Sequence, residues 1–192
     1  MSRTILEEPP TRLAEYAEVP IGFTVAEMLD ERACAALSQD APFDAVVVSP
    51  AYWKDYDSYP GSHPSAWPQL FDLSRWTILA AYDREGRVGG ATVIIDDPHI
   101  DLLRDCSGCA LLWDIRVAPD ARRQGIGAAL LEAVERRSRE RGARSLRVET
   151  QNINVPACRF YRAHGFRLER VVLGAYPSLP NEMQLLWRKP LR

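Results

Sequence analysis

The chain has 192 residues, 46% of them hydrophobic and 26% charged, a size and balance that suit one folded domain with its own core. A formal net charge of −2 excludes a general attraction to nucleic acid, so any use of positive charge must be local. The amino-terminal MSRTILEEPPTR lacks the basic-then-apolar layout of a signal peptide, and runs such as IGFTV and CALLW are too short to span a membrane. These features predict a cytoplasmic protein without nucleic-acid or membrane partners.

Residues 1–20, with Pro9, Pro10 and Pro20 among mixed charges, read as an N-terminal arm with a short helical turn. Strand signals follow at 22–29 and 43–49. Residues 50–76 are rich in Pro, Tyr and Trp but lack sustained periodicity, which predicts a long functional loop or partly helical segment on the substrate side. Its Tyr52, Trp53, Tyr56, Tyr59 and Trp67, with Asp55, Asp57 and His63, suit either of two roles. They line a pocket for a cationic amine, or they pin a long loop.

Beyond residue 76 the pattern sharpens. Residues 76–83 and 87–95 flank a REG turn and predict a β-hairpin. Residues 109–118 read as another strand. Ile126, Leu130 and Val134 recur every four residues, predicting a helix over 126–141 with Gly142 as its stop. A strand at 145–151 precedes a helix opened by Pro156 and stopped by Gly165. Strands at 166–176 and 182–191 complete a chain without repeats or linkers. Hairpins first, then alternating strands and helices, predict one domain with a mixed sheet and helices on both faces.

Cys34, Cys106, Cys109 and Cys158 do not form a disulfide framework in a chain of this kind. Cys106 and Cys109 make a single CSGC with no second pair and no nearby histidine, so no metal site is expected. Cys158, in an apolar helical stretch, reads as a small core residue.

The helix start RRQGIG carries the clearest chemical signal. Each glycine inside a helix costs roughly 0.8–1.0 kcal/mol against alanine. Positive side chains there also oppose the helix macrodipole. Both penalties make sense if an anion sits on the free amides, with Gly125 and Gly127 allowing close approach and Arg122, Arg123 and Gln124 adding donors. The dinucleotide fingerprint needs a third glycine where Leu130 stands, and no Gly-Lys-Ser/Thr is present for a P-loop.

RRQGIG resembles the Arg/Gln-x-x-Gly-x-Gly/Ala signature of the GNAT superfamily of N-acetyltransferases. LLWDIRVAPDARRQGIGAALL resembles that family's fourth strand, loop and third helix. NINVPACRFYRAHGF is similar to its next helix, and with AYPSLPNEMQLLW it looks particularly like streptothricin acetyltransferases. The resemblance covers about residues 76–190. It implies a mostly antiparallel mixed sheet of about seven strands flanked by helices, with an acetyl-coenzyme A core at 109–165.

The resemblance further implies direct attack of a small-molecule primary amine on acetyl-coenzyme A, without a metal. Main-chain groups of Ile115, Arg116 and Val117 would meet the pantetheine arm. Residues Arg122, Arg123, Gln124, Gly125, Ile126, Gly127 and Ala128 would hold the pyrophosphate. Asn154, Ala157 and Tyr161 would complete the coenzyme site, with Tyr161 as the acid for the leaving thiolate. Asp114 and Glu149 are both candidate bases, and a water relay is an alternative to either. A protein amino terminus as acceptor, and a silent acyl-coenzyme A sensor, are rival readings. Sheet edges near the carboxy terminus leave a homodimer open.

Overall fold

The computed structural model describes residues 3–37 and 42–192; the first two residues of the expected arm lie outside them. In chain order the elements begin with β1 (Thr4–Glu8), α1 (Leu13–Ala17), β2 (Phe23–Met28), α2 (Glu31–Leu37), β3 (Val46–Lys54) and α3 (Trp67–Leu70). The hairpin strands β4 (Trp76–Tyr82) and β5 (Arg87–Ile95) follow, then β6 (Cys109–Val117) and α4 (Ile126–Glu140). The last elements are β7 (Ser145–Gln151), α5 (Val155–Ala163), β8 (Arg167–Val172) and β9 (Gln184–Pro190). This is a mixed α/β fold. Its main sheet has seven strands, and the pairs β1/β4, β4/β5, β5/β6 and β8/β9 are antiparallel.

The chain divides into two compact units. The first, which includes residues 55–146, carries strands in the order β1-β4-β5-β6. β4 is buried almost throughout, and β5 is buried from Gly89 onward. Gly90 leaves room for the Tyr16 ring against the sheet; a Cβ there would overlap that ring. Helix α4 buries Ile126, Leu130, Leu131, Ala133 and Val134, the face its spacing predicts. An aromatic core of Tyr16, Trp67 and Trp76, with Phe71 and Trp113 packed on it, closes the unit.

One expectation needs correction here. The N-terminal arm is not merely an arm: residues 4–8 form β1, paired with β4 from Thr4 opposite Tyr82 to Glu8 opposite Ile78. For 50–76 the structure shows the partly helical alternative, with α3 at Trp67–Leu70. Residues 50–54 continue β3, and besides α3 the rest holds three short turns, each begun by a side chain that accepts a backbone N–H. Asp55 caps Tyr56–Ser58, His63 caps Pro64–Ala66, and Asp72 caps Leu73–Arg75.

The second unit, residues 23–54 and 147–190, holds the β2/β3 hairpin and strands in the order β7-β9-β8. Pairing in the hairpin runs Val25 opposite Tyr52 and Glu27 opposite Val47, so residues 48–51 fall in an interruption of the ladder. Pro50 is tolerated there because no ladder donor is lost. Helix α5 is opened by Asn154, whose side chain accepts from the Ala157 N–H at 3.2 Å. Cys158 is fully buried and burial pushes its thiol up to about 12, as suits a packing residue rather than a nucleophile.

Cys106 and Cys109 are buried in the first unit, with Cys106 Sγ 3.8 Å from Ser145 Oγ. Protein purified without added metal is expected to carry far less than one equivalent of zinc by atomic emission. Stoichiometric zinc that is lost on changing both residues to serine would overturn this.

Candidate functional site

In the first unit, β6 leads through a short turn to the start of α4. A bulge lies in β6: Thr92 faces Asp114 while Val93 faces Leu112, so Trp113 is the extra residue. Ile115, Arg116 and Val117 follow it, opposite Ala91, Gly90 and Gly89. Bulges re-aim the backbone locally, and this one directly precedes the three residues expected to use main-chain groups.

Gly125 caps α4 in the left-handed conformation, with φ 83° and ψ 1°, where a side chain is strained. Its missing Cβ would face open space except for an Arg3 nitrogen at 3.9 Å. No side chain caps the helix; Ala129 is the first residue whose N–H bonds back, to Gly125 O. The amides of Gly125, Ile126, Gly127 and Ala128 therefore lie where a helix start offers donors to an anion. Arg123 also takes a positive φ of 62° and its side chain is exposed.

Arg122 is otherwise engaged. Its guanidinium donates to Val117 O at 3.0 Å and Gly22 O at 3.0 Å, so it tethers the loop through backbone carbonyls. Gln124 donates to Asp120 O and accepts from Arg3 at Oε1, and Arg3 also donates to Gln124 O. Arg3 adds a cation to this corner that no local sequence signal marks, because it comes from the far end of the chain. These donors and the open face at Gly125 fit a pyrophosphate such as that of coenzyme A.

Asp114 is drawn into a different structure. Arg116 chelates it with Nε at 2.9 Å and a terminal nitrogen at 2.7 Å, and Tyr16 donates its hydroxyl to the same carboxylate. The other side of the guanidinium meets Asp57 at 2.9 and 3.1 Å and Val19 O at 3.1 Å. Burial alone would lower the arginine's pKa, but the adjacent Asp114 charge outweighs it and keeps Arg116 cationic. Burial, then the Asp114 charge, raises Tyr16 well above the ordinary phenol range, so it stays a donor. Both Asp114 oxygens are thus occupied. Asp57 and Trp67, two of the residues that suited either an amine pocket or a pinned loop, pin it: Asp57 by this ion pair and Trp67 by burial in the aromatic core.

In the second unit, Glu149 is half-buried on β7 and accepts a hydrogen bond from the Tyr176 hydroxyl. Burial raises its pKa above the usual carboxylate range, while the bonds from Tyr176 and Gln184 pull partly back. A raised pKa makes this carboxylate a stronger proton acceptor. Tyr161 is buried on α5, its ring 5.3 Å from those of Phe160 and Phe166. Asn154 and Ala157 lie at the opening of the same helix. Exposed Tyr52 and Trp53 belong to β3 rather than to a loop.

A bulged strand feeding an uncapped, glycine-started helix beneath a mostly antiparallel sheet defines a coenzyme A-type acyltransferase fold. A sequence profile of the acetyltransferase (GNAT) family matches residues 53–166, and the chain belongs to that family. Streptothricin acetyltransferase A of Bacillus subtilis (strain 168) is 38% identical over 91 residues, 46% of this chain and 53% of that protein. The [ribosomal protein bS18]-alanine N-acetyltransferase of Escherichia coli (strain K12) is 36% identical over 69 residues, 36% of this chain and 47% of that one. The chain thus spans about half the length of these curated relatives. Among solved structures, nourseothricin acetyltransferase shares the fold with a TM-score of 0.76 at 23% identity, over 100% of both chains. A Bacillus anthracis protein assigned to the streptothricin acetyltransferases, solved with acetyl-coenzyme A, gives 0.76 at 22%, also over 100% of both.

Proposed function

We propose that the chain is an acetyl-coenzyme A-dependent N-acetyltransferase acting on a primary amine of a small cationic molecule, with streptothricin-type antibiotics as the first substrates to test. The observation that carries this reading is the start of α4: an uncapped run of amides behind left-handed Gly125, flanked by Arg3 and Arg123. Coenzyme A pyrophosphate supplies the anion that such a start attracts, and an acetyl thioester presents the carbonyl for attack. The family membership of residues 53–166 and the identity to streptothricin acetyltransferase A support the same reading.

Within it, the residues divide by role. Glu149, half-buried and raised in pKa, takes the proton from the incoming ammonium. Tyr161 returns a proton to the departing thiolate. Main-chain groups of Ile115, Arg116 and Val117 orient the coenzyme's arm, while the Arg116 side chain belongs to the scaffold. Asp114 is assigned to that scaffold too, because its oxygens accept three hydrogen bonds that hold the buried network of Arg116, Asp57 and Tyr16 together. A second reading, acetylation of a protein amino terminus, is favoured by the bS18-alanine acetyltransferase relative.

Mass spectrometry of products from streptothricin, a polyamine and a ribosomal-protein peptide separates the two readings. Acetylated streptothricin supports the first, and acetylation of the peptide alone replaces it with the second. Calorimetry tests the cradle directly. Gly127→Glu puts a carboxylate at the helix start, and Arg122→Ala unties the loop. Each is expected to weaken acetyl-coenzyme A binding at least tenfold, about 1.4 kcal/mol. Unchanged affinity in folded protein would remove the cradle from the site.

A further inference from the structure

The hydroxyl that reaches Glu149 comes from Tyr176, in the connection between β8 and β9, and nothing in the roles above uses it. We infer that Tyr176 is a positioning residue that aims the Glu149 carboxylate and sets its basicity, an inference that rests on Glu149 being the base.

Geometry carries it. Glu149 is flanked within its own unit by two uncharged donors, Tyr176 from the β8–β9 connection and Gln184 from β9, the strand beside β7. The nearest cation on its own strand, Arg147, is committed to Glu169 of β8 at 2.8 Å. The phenol is therefore the group placed to hold Oε1 of the carboxylate and to fix its orientation.

The segment that presents Tyr176 is built rather than loose. Leu179 N–H bonds back to Tyr176 O at 2.9 Å, and Glu182 N–H to Leu179 O at 2.9 Å. Glu182 then enters a buried ion pair, both its oxygens meeting Lys54 Nζ at 2.6 and 2.9 Å. The next residue, Met183, donates its N–H to Asn152 Oδ1 at 2.8 Å, and Asn152 N–H donates to Met183 O at 3.1 Å. A buried ion pair is weak evidence for stability, but a partnered pair fixes a local arrangement. Here the arrangement it fixes is the turn that delivers the hydroxyl.

The two donors stabilise the charged carboxylate, opposing the burial that raises its pKa. Loss of the Tyr176 hydroxyl should make Glu149 more basic and leave it protonated at a pH where the parent enzyme has already lost that proton. Two measurements on Tyr176→Phe decide. In carboxyl-carbon NMR of glutamate-labelled protein, the Glu149 signal, assigned with Glu149→Gln, should titrate at higher pH in the variant. In streptothricin acetylation, the acid limb of the kcat/KM profile should move to higher pH by about one unit, because one hydrogen bond to an ionised group is worth roughly one pKa unit. Losses should reach up to about tenfold below the parent's midpoint, with rates within about threefold of the parent on the plateau above it. A uniform loss across pH with an unmoved Glu149 titration would make Tyr176 merely structural and overturn the inference. A moved titration alongside full activity in Glu149→Gln would keep Tyr176 as the tuner of Glu149 while removing Glu149 as the base.

Discussion

Arg116→Ala is expected to cost about 3–5 kcal/mol of folding stability, the size seen when one partner of a buried ion pair is removed. The guanidinium has no solvent exposure and is shared by two carboxylates, of Asp114 and Asp57, and by a backbone carbonyl at Val19. Deleting it leaves Asp114, almost fully buried, with the Tyr16 hydroxyl in place of a cation. Asp57 loses the contact that ties residues 55–58 to β6. For a chain of this size each kcal/mol lowers the melting temperature by about 2–4 °C, so a fall on the order of 10 °C is expected in calorimetric unfolding. The double variant Arg116→Met, Asp114→Leu should recover part of that loss, because apolar replacement of a whole buried pair is far less costly than breaking it. A melting temperature within about 2 °C of the parent for Arg116→Ala would show that water or local rearrangement satisfies the carboxylates, and the network would lose its role as the fastener of β6.

That network also marks the boundary of what the sequence disclosed. The β4/β5 hairpin, β7 and α4 were legible because their signals are local: alternation or four-residue spacing, closed by turn residues. The glycine-marked start of α4 was legible for the same reason, since Gly125 and the first turn of the helix lie within one short stretch. Strand β1 was not. Its burial alternates poorly along an edge, and its partner β4 is more than 70 residues away, from Thr4 to Tyr82. Helix α2 is seven residues long, too short to impose a periodic pattern. At β3 the proline read as a strand end, and only the interrupted pairing at 48–51 explains why the strand passes through it.

The site shows the same division. Asp114 and Glu149 were equal as sequence, two carboxylates on successive strands. What separates them is Tyr16, Arg116 and Asp57 around one, and Tyr176 and Gln184 around the other, all distant in sequence except Arg116. Arg3 at the cradle is legible only in three dimensions for the same reason.

Tyr161→Phe is expected to lower kcat by about 10²–10⁴, the usual contribution of a general acid or base. Asn154 and Ala157 precede Tyr161 by seven and four residues, so the three share roughly one face of α5. Asn154 fixes where that helix begins. The tyrosine ring is held edge-on between Phe160 and Phe166, and a phenylalanine ring fills the same space. The substitution therefore removes a hydroxyl and little else, and the melting temperature should stay within a few degrees of the parent. An ordinary phenol, pKa about 10, is a weaker acid than a thiol of pKa about 8.5, so full transfer is uphill by about 1.5 units, roughly 2 kcal/mol. That gap is small enough for the hydroxyl to steady the departing thiolate by hydrogen bonding as charge develops. Affinity for acetyl-coenzyme A should change less than about threefold, under ~0.7 kcal/mol, since the interaction belongs to the transition state rather than to coenzyme binding. Single-turnover rates decide the matter, because slow product release in the parent enzyme would hide part of the loss in steady state. A variant with the parent's single-turnover rate would take Tyr161 out of proton transfer and leave it as one more ring in the packing of α5.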